Sequence, residues 1–317
     1  MPVAVEARHL SKTYEHRGGK TEALTNVDLT IPAGQVYGMI GRNGAGKTTF
    51  VRVAATQLTP TSGTVTVLGY DILRETSKVR ARIAAVPQES RPLYFLNVDE
   101  LIFLYLTIRG TDPRDARKRT DAILEELGLA SVRKRLVHML SGGMRRRAMV
   151  AMVLASDAEV LYLDEPTTGL DPIARREVWS AVRRAVRDGR TVLLTTHYLD
   201  EAEALSGRIA LLEGGQVRLE GTPSSIRDRV HQPYRIVVSG VLGRSELESF
   251  GTVSPVEGGF LIFAREAPAR ELALLALSKG AKVSLGPVTL EDIFLQVVGK
   301  SIDADDTSEG DGKEGGA

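Results

Sequence analysis

The sequence predicts an α/β fold. It should hold a parallel sheet covered by helices, an antiparallel β subdomain, and a small α+β domain towards the C-terminal end. Three observations carry this. From Pro2 to about Thr222, short β-branched runs alternate with amphipathic helical stretches, the pattern of repeated βα units. The runs Val36-Tyr-Gly-Met-Ile40, Ile83-Ala-Ala-Val86, Val160-Leu-Tyr-Leu163, Val192-Leu-Leu-Thr195 and Ile209-Ala-Leu-Leu212 suit strands covered on both faces. The early segments Val3–Leu10 and Thr64–Leu68 alternate instead, which suits an antiparallel subdomain.

Helices announce themselves by period and punctuation. Val178, Ala181, Val182, Ala185 and Val186 form one stripe, stopped by Gly189. Ala116, Ile123, Leu124 and Leu127 form another, stopped by Gly128. Asn97 stands three residues before Glu100, a capping-box start for a helix over Val98–Ile108. Past Thr222 the pattern weakens. Tyr234–Ser239 and Phe260–Ala264 read as strands, Ala269–Ser278 and Leu290–Val298 as helices. The expected domains are residues 1–222, an accessory domain over 223–300, and an acidic tail over 301–317 with almost nothing to bury, hence disordered.

Composition narrows the function classes. The chain has 317 residues, room for a large and a small domain at about 150 residues each. Hydrophobic residues make up 43% and charged residues 26%, a globular balance. A net charge of +1 makes no general case for nucleic acid, and none is expected as a partner. Without cysteine, disulfides, thiolate catalysis and Cys-based metal sites are excluded. The start, MPVAVEARHLSK, does not read as a signal peptide. No apolar run reaches the roughly 18 residues that span a bilayer. A membrane role would therefore need another chain to cross.

Gly41-Arg-Asn-Gly-Ala-Gly-Lys47-Thr48 matches G-x-x-x-x-G-K-S/T between an expected strand and an expected helix. The glycines let backbone N–H groups surround phosphate oxygens at an electropositive helix start. Lys47 is expected to bridge β- and γ-phosphates, and the Thr48 hydroxyl to ligate Mg²⁺. Gly41, Asn43, Gly44, Gly46 and Thr49 complete the nucleotide-phosphate set, which alone suits kinases, GTPases, helicases and transport ATPases alike. Downstream, Val160–Leu163 runs into Asp164-Glu165, placing two carboxylates at the sheet edge where α/β proteins bind ligands. Asp164 is expected to hold Mg²⁺, and Glu165 to polarise the attacking water as general base.

Leu140-Ser141-Gly142-Gly143-Met144 lies between these two motifs and resembles the ABC signature LSGGQ. The chain thus resembles the ATP-binding subunits of ABC transporters. Other family positions fall in order. Tyr14 stands at the aromatic A-loop position, and Gln88, after Val86-Pro87, at the Q-loop. Gly169-Leu170-Asp171 stands at the D-loop, and His197, after Thr195-Thr196, at the switch histidine. The resemblance covers roughly residues 3–225. It implies a P-loop NTPase core with a helical subdomain. It also implies that Tyr14 stacks on adenine, as a flat aromatic can. By the same resemblance Gln88 joins Thr48 and Asp164 around Mg²⁺ and water. Ser141, Gly142, Gly143 and Asp171 serve the ATP of a second subunit, and His197 meets the γ-phosphate. The plainer alternatives are an edge-strand aromatic, a surface amide and a structural histidine.

One chain has one phosphate loop and one signature, and the signature serves a neighbour's nucleotide. The expected unit is a dimer with a second copy or a related ATPase subunit, built as a two-fold pair of composite sites. Met144 replaces the usual Gln, and little loss is expected. Arg145-Arg146-Arg147 read as a solvated basic face. In Tyr94–Ile108, Val98, Leu101, Ile102, Tyr105 and Leu106 form a core stripe, while Phe103, Leu104 and Ile108 lie off it. Either this chain's own core covers that second face or a separate transmembrane permease does. The stretches His197–Glu203, Leu212–Gln216, Glu220–Pro223 and Leu290–Leu295 resemble the drug- and polysaccharide-exporter branch typified by daunorubicin-resistance ATPases. The resemblance implies an ATPase peripheral on the cytoplasmic face of the membrane. The alternative is a soluble switch of the same family acting on ribosomes or nucleic acid.

Overall fold

The computed structural model describes residues 2–86, 95–228, 232–240 and 242–298. Gln88, Tyr94 and the tail 301–317 lie outside the described residues. The chain divides into two compact units, residues 1–220 and 221–317.

Along the first unit run β1 (Val3–His16), β2 (Gly19–Pro32), β3 (Val36–Ile40), α1 (Lys47–Ala54), β4 (Ser62–Val67), β5 (Tyr70–Asp71), α2 (Thr76–Arg82) and β6 (Ile83–Val86). After them come α3 (Val98–Ile108), α4 (Pro113–Glu126), α5 (Gly142–Ala155), β7 (Val160–Asp164), α6 (Pro172–Arg187), β8 (Thr191–Thr196), α7 (Leu199–Leu205), β9 (Arg208–Glu213) and β10 (Gln216–Gly221). One sheet has the order β10-β9-β3-β8-β7-β6 and the other β2-β1-β4-β5. β3 pairs in parallel with β8 and β9, and β7 with β6 and β8. β1 pairs antiparallel with β2 and β4.

The period-two geometry of a strand sends alternate side chains to opposite cores. Leu161, Leu163, Val192 and Leu194 point into a core built with α3–α6. Val160, Tyr162, Leu193, Tyr37 and Met39 point into another. That second core is closed by α1, by Val79 of α2 and by the inner residues of the antiparallel sheet, among them Val5, Leu10, Val27, Leu29 and Ile31. The expected helices on both faces are therefore unequal: four longer helices cover one side, and the antiparallel sheet shares the other.

Helix boundaries follow local chemistry. Asn97 accepts from Glu100 N–H and Glu100 accepts from Asn97 N–H, the capping box that starts α3. Asp112 with Pro113 starts α4, and Asp171 with Pro172 starts α6. The off-stripe face of α3 is split. Phe103 packs against the core, whereas Leu104 and Ile108 are exposed.

The second unit holds α8 (Pro223–Arg227), β11 (Tyr234–Ser239), α9 (Arg244–Leu247), β12 (Thr252–Val256), β13 (Gly259–Ala264), α10 (Glu266–Ser278), β14 (Lys282–Pro287) and α11 (Leu290–Val298). Its antiparallel sheet has the order β12-β13-β11-β14. Ile236, Val238, Ile262 and Ala264 on one sheet face pack against Ala269, Leu272 and Ala276 of α10.

Candidate functional site

Register brings the chemistry together. Ile40, the last residue of β3, lies opposite Thr196 of β8. Thr195 of β8 lies opposite Asp164, the last residue of β7. The Gly41–Thr48 turn, the Asp164-Glu165 pair and His197 thus leave three adjacent strands at the same edge, where open α/β sheets hold ligands.

Gly46 caps α1 with φ of 106°, and a Cβ there would lie 2.4 Å from the Ala23 carbonyl oxygen. Only glycine fits both demands. Lys47 is 4% exposed, and its Nζ donates to the Gly41 carbonyl at 2.6 Å and the Arg42 carbonyl at 3.1 Å. Burial lowers its pKa from the ordinary value, against the pull of Glu165 and Asp164. A cavity of about 370 Å³ opens above, lined by Asn43, Gly44, Gly46, Lys47, Thr48 and Thr49, with Tyr14, Glu165 and residues 21–23 of β2 as walls. The Tyr14 hydroxyl stands 3.3 Å from Thr49 Oγ1. Gly41 is buried beneath the turn.

Asp164 is 1% exposed. Thr195 Oγ1 donates to its Oδ1, and the Thr48 side chain hydrogen-bonds to it. Burial raises the Asp164 pKa, and the Thr195 and Thr48 bonds and the Lys47 charge only partly offset this. Its Oδ2 is buried without a partner among the described residues. An orphaned carboxylate oxygen beside the Thr48 hydroxyl is a fitting donor set for a hard cation such as Mg²⁺. No cluster of three acidic or histidine side chains that could hold a metal is present among the described residues.

Glu165 takes φ of 49°, a left-handed conformation uncommon for non-glycine residues and typical of functional sites. Its N–H donates to the Thr195 carbonyl at 3.0 Å and Thr195 Oγ1 at 3.1 Å. Its Oε1 lies 3.5 Å from His197 Nδ1, and its Oε2 accepts from Thr168 Oγ1 at 3.4 Å. Burial works to raise the Glu165 pKa, but the His197 bond, the His197 and Lys47 charges and the Thr168 bond together outweigh it and hold the carboxyl below its ordinary value. An ionised carboxylate facing the phosphate loop can accept a proton from water. The His197 ring lies 4.1 Å from the Tyr198 ring, centroid to centroid.

Gly142 and Gly143 of the signature, but not Ser141, line a different cavity of about 540 Å³, with Arg145, Arg146, Met149, Thr168 and Gly169. Ser141 caps α5, accepting from Met144 N–H at 3.2 Å. A Cβ on Gly143 would lie 2.7 Å from the Gly169 carbonyl oxygen, so this glycine lets the helix start approach the loop after β7. Asp171 lines neither cavity. Its carboxylate accepts from Ile173 and Ala174 N–H at 3.0 and 2.9 Å and caps α6.

The three arginines are not a solvated face. All are half-buried. Arg147 pairs with Glu177 at 3.1 Å and Asp171 at 3.7 Å. Burial lowers the Arg146 pKa, against the attraction of Asp164 and Glu165. The helix packs its first turn onto the α6 start, which sequence spacing alone does not reveal. Thr195, Thr168 and the β2 wall also went unmarked in the sequence, since a lone threonine carries no pattern.

The model of the ABC transporter family matches residues 24–168. Daunorubicin/doxorubicin resistance ATP-binding protein DrrA of Streptomyces peucetius is 37% identical over 96% of this chain and 96% of its own length. This chain belongs to the ABC transporter family. It is an ATP-binding subunit and an ATPase of that family. Nod factor export ATP-binding protein I of Cupriavidus metallidurans is 34% identical, over 95% of this chain and 99% of that protein. Among solved structures, a dimeric ATP-binding cassette in a post-hydrolysis state, bound to ADP and Pi, aligns with a TM-score of 0.65 and 27% identity, over 69% of this chain and 98% of that one. No helix among the described residues of the ABC subunit is long and apolar enough to cross a membrane.

Proposed function

We propose that this subunit drives an exporter: two ATPase subunits close on ATP and move a separate transmembrane permease. Adenine stacks on Tyr14, and the phosphates lie against Gly41, Asn43, Gly44, Gly46, Lys47, Thr48 and Thr49. Thr48 and Asp164 hold Mg²⁺, which supplies charge neutralisation on the phosphates, and Gln88 joins them. Glu165 takes the proton of the water that attacks the γ-phosphorus. The bond to the bridging oxygen breaks, releasing ADP and phosphate. His197 hydrogen-bonds the γ-phosphate. Ser141, Gly142 and Gly143 reach the ATP of the opposite subunit, and Asp171 sets the helix beside them. Residues 223–300 brace or regulate the pair.

The observation that carries this is Glu165: it is ionised, strained and aimed into the phosphate cavity. The separate signature cavity supports the dimer, and the exposed Leu104 and Ile108 of α3 support a docking partner. The names of the two relatives, one for drug resistance and one for Nod factor export, support the direction of transport. Together they favour a peripheral position on the cytoplasmic face of the membrane.

Glu165→Gln tests the reading. The variant should bind ATP normally, run as an ATP-dependent dimer in gel filtration, and lose turnover by about a hundredfold or more. Wild-type turnover in that variant would remove Glu165 from the role of base. A polytopic membrane chain should co-purify; recovery of ribosomes instead would turn the reading towards a soluble switch.

A further inference from the structure

Residues 165–171 span the two cavities. Glu165 lines the phosphate cavity, and Thr168 and Gly169 line the signature cavity. A left-handed glutamate persists only where its surroundings over-determine it. The Thr195 bonds hold its backbone from one side. The other hold lies below the loop, on Thr167, which is fully buried. Thr167 Oγ1 donates to Glu201 Oε1 at 2.9 Å.

Glu201 stands in the first turn of α7, four residues past His197, and is 0% exposed. Its Oε1 also accepts from the indole N–H of Trp179, at 2.9 Å. Thr196 stands beside the same carboxyl with its Oγ1 accepting from Tyr198 N–H at 3.0 Å, and Glu201 Oε2 is buried without a hydrogen-bond partner among the described residues. One carboxyl oxygen on α7, the helix that follows the His197 turn, thus ties the loop after β7 to the middle of α6. The nearby cation is engaged elsewhere. Arg175 bonds to Asp200 at 3.3 Å and covers the Tyr198 ring at 4.5 Å.

We propose that Glu201 is a positioning residue for ATP hydrolysis, holding the 165–171 loop in register with the His197 turn that leads into its own helix, through Thr167 and Trp179. It touches no substrate. Its action is to keep the Glu165 carboxylate and the His197 ring at the same γ-phosphate, where displacement of about 1 Å can cost about a hundredfold in rate. The inference rests on the reading of Glu165 as base. Burial raises the Glu201 pKa even against its hydrogen bonds, so a neutral amide of the same shape should replace it well.

The test is steady-state hydrolysis of Mg-ATP by the full chain, with ATP affinity measured separately by equilibrium titration. Glu201→Gln should keep kcat within about threefold of wild type, whereas Glu201→Leu should lose about tenfold or more with ATP affinity changed less than about twofold. Glu201→Leu at wild-type kcat overturns the proposal. So does a loss of ATP affinity in proportion to kcat, because that is what general damage to the fold produces. Far-UV circular dichroism shows whether each variant is folded, because Trp179, the chain's single tryptophan, bonds to Glu201 itself. Should Glu201→Leu not fold, Thr167→Val decides. A kcat loss of about threefold or more at unchanged affinity supports the tie, and wild-type kcat overturns it. Glu165→Gln is run in parallel: full turnover there sinks the base itself, independently of Glu201.

Discussion

At the scale of single residues, the site is held by conflicts resolved locally. Glu165 combines a left-handed backbone with a buried carboxylate that its partners hold ionised, and the backbone conformation costs stability. Asparagine tolerates the left-handed region and carries no charge. Glu165→Asn should therefore stabilise the first unit by about 1 kcal/mol while abolishing turnover. Urea denaturation at neutral pH reads this, and a lower midpoint for the variant would show that the backbone is not strained there. The residues legible in the sequence were those whose type the backbone dictates. Lys47 and the glycines around it stand at spacings set by the phosphate turn, and Asp164-Glu165 ends an apolar run. Thr195 and Glu201 escaped because their partners lie 22 to 34 residues away along the chain and one side chain offers no period. Asp171 was legible as a motif member, yet its carboxylate is occupied by the N–H groups that open α6.

At the scale of elements, the helical layer depends on one buried acid. Asp99 of α3 is 3% exposed and accepts from Arg117 at 2.9 Å and from Arg133, which also reaches Asp121 at 2.6 Å. Burial raises the Asp99 pKa, but the Arg117 and Arg133 bonds and charges outweigh it and leave the carboxyl below its ordinary value. A depressed folded pKa means the contribution is present above the unfolded value and is lost as pH falls through the folded one. Asp99→Asn should cost about 1–3 kcal/mol at pH 7, and the gap to wild type should close below about pH 4. A gap that widens on acidification would contradict the linkage. Elements showed in the sequence where an apolar run or a helical period was unbroken, as in β3, β7 and β8 for the one and α6 for the other. β2 was missed although Val27, Leu29 and Ile31 alternate in it and are buried, because its first half is polar. β12 and β14 had little to announce them, since most of their residues are only partly buried or exposed.

At the scale of the whole molecule, the two cavities share no lining residue. On the proposed reading the two sites act together only across a second chain, and a two-fold pair would join both at once. This makes a prediction that no single-chain catalyst can meet. Lys47→Ala disables the phosphate half of a site, and Gly143→Asp disables the signature half by placing a carboxylate where a phosphate should approach. Each homodimer then carries two broken sites. In the mixed dimer both defects fall in one site, and the other combines an intact phosphate loop with an intact signature. Equal mixing makes about half the dimers mixed, each with one working site of two. Turnover should therefore recover to about a quarter of wild type if the sites act independently. The measurement is ATP hydrolysis across a series of mixing ratios, which should trace a maximum at equal amounts. A flat line at the level of the separate variants would mean that each chain completes its own site, or that both sites must be intact before either one fires.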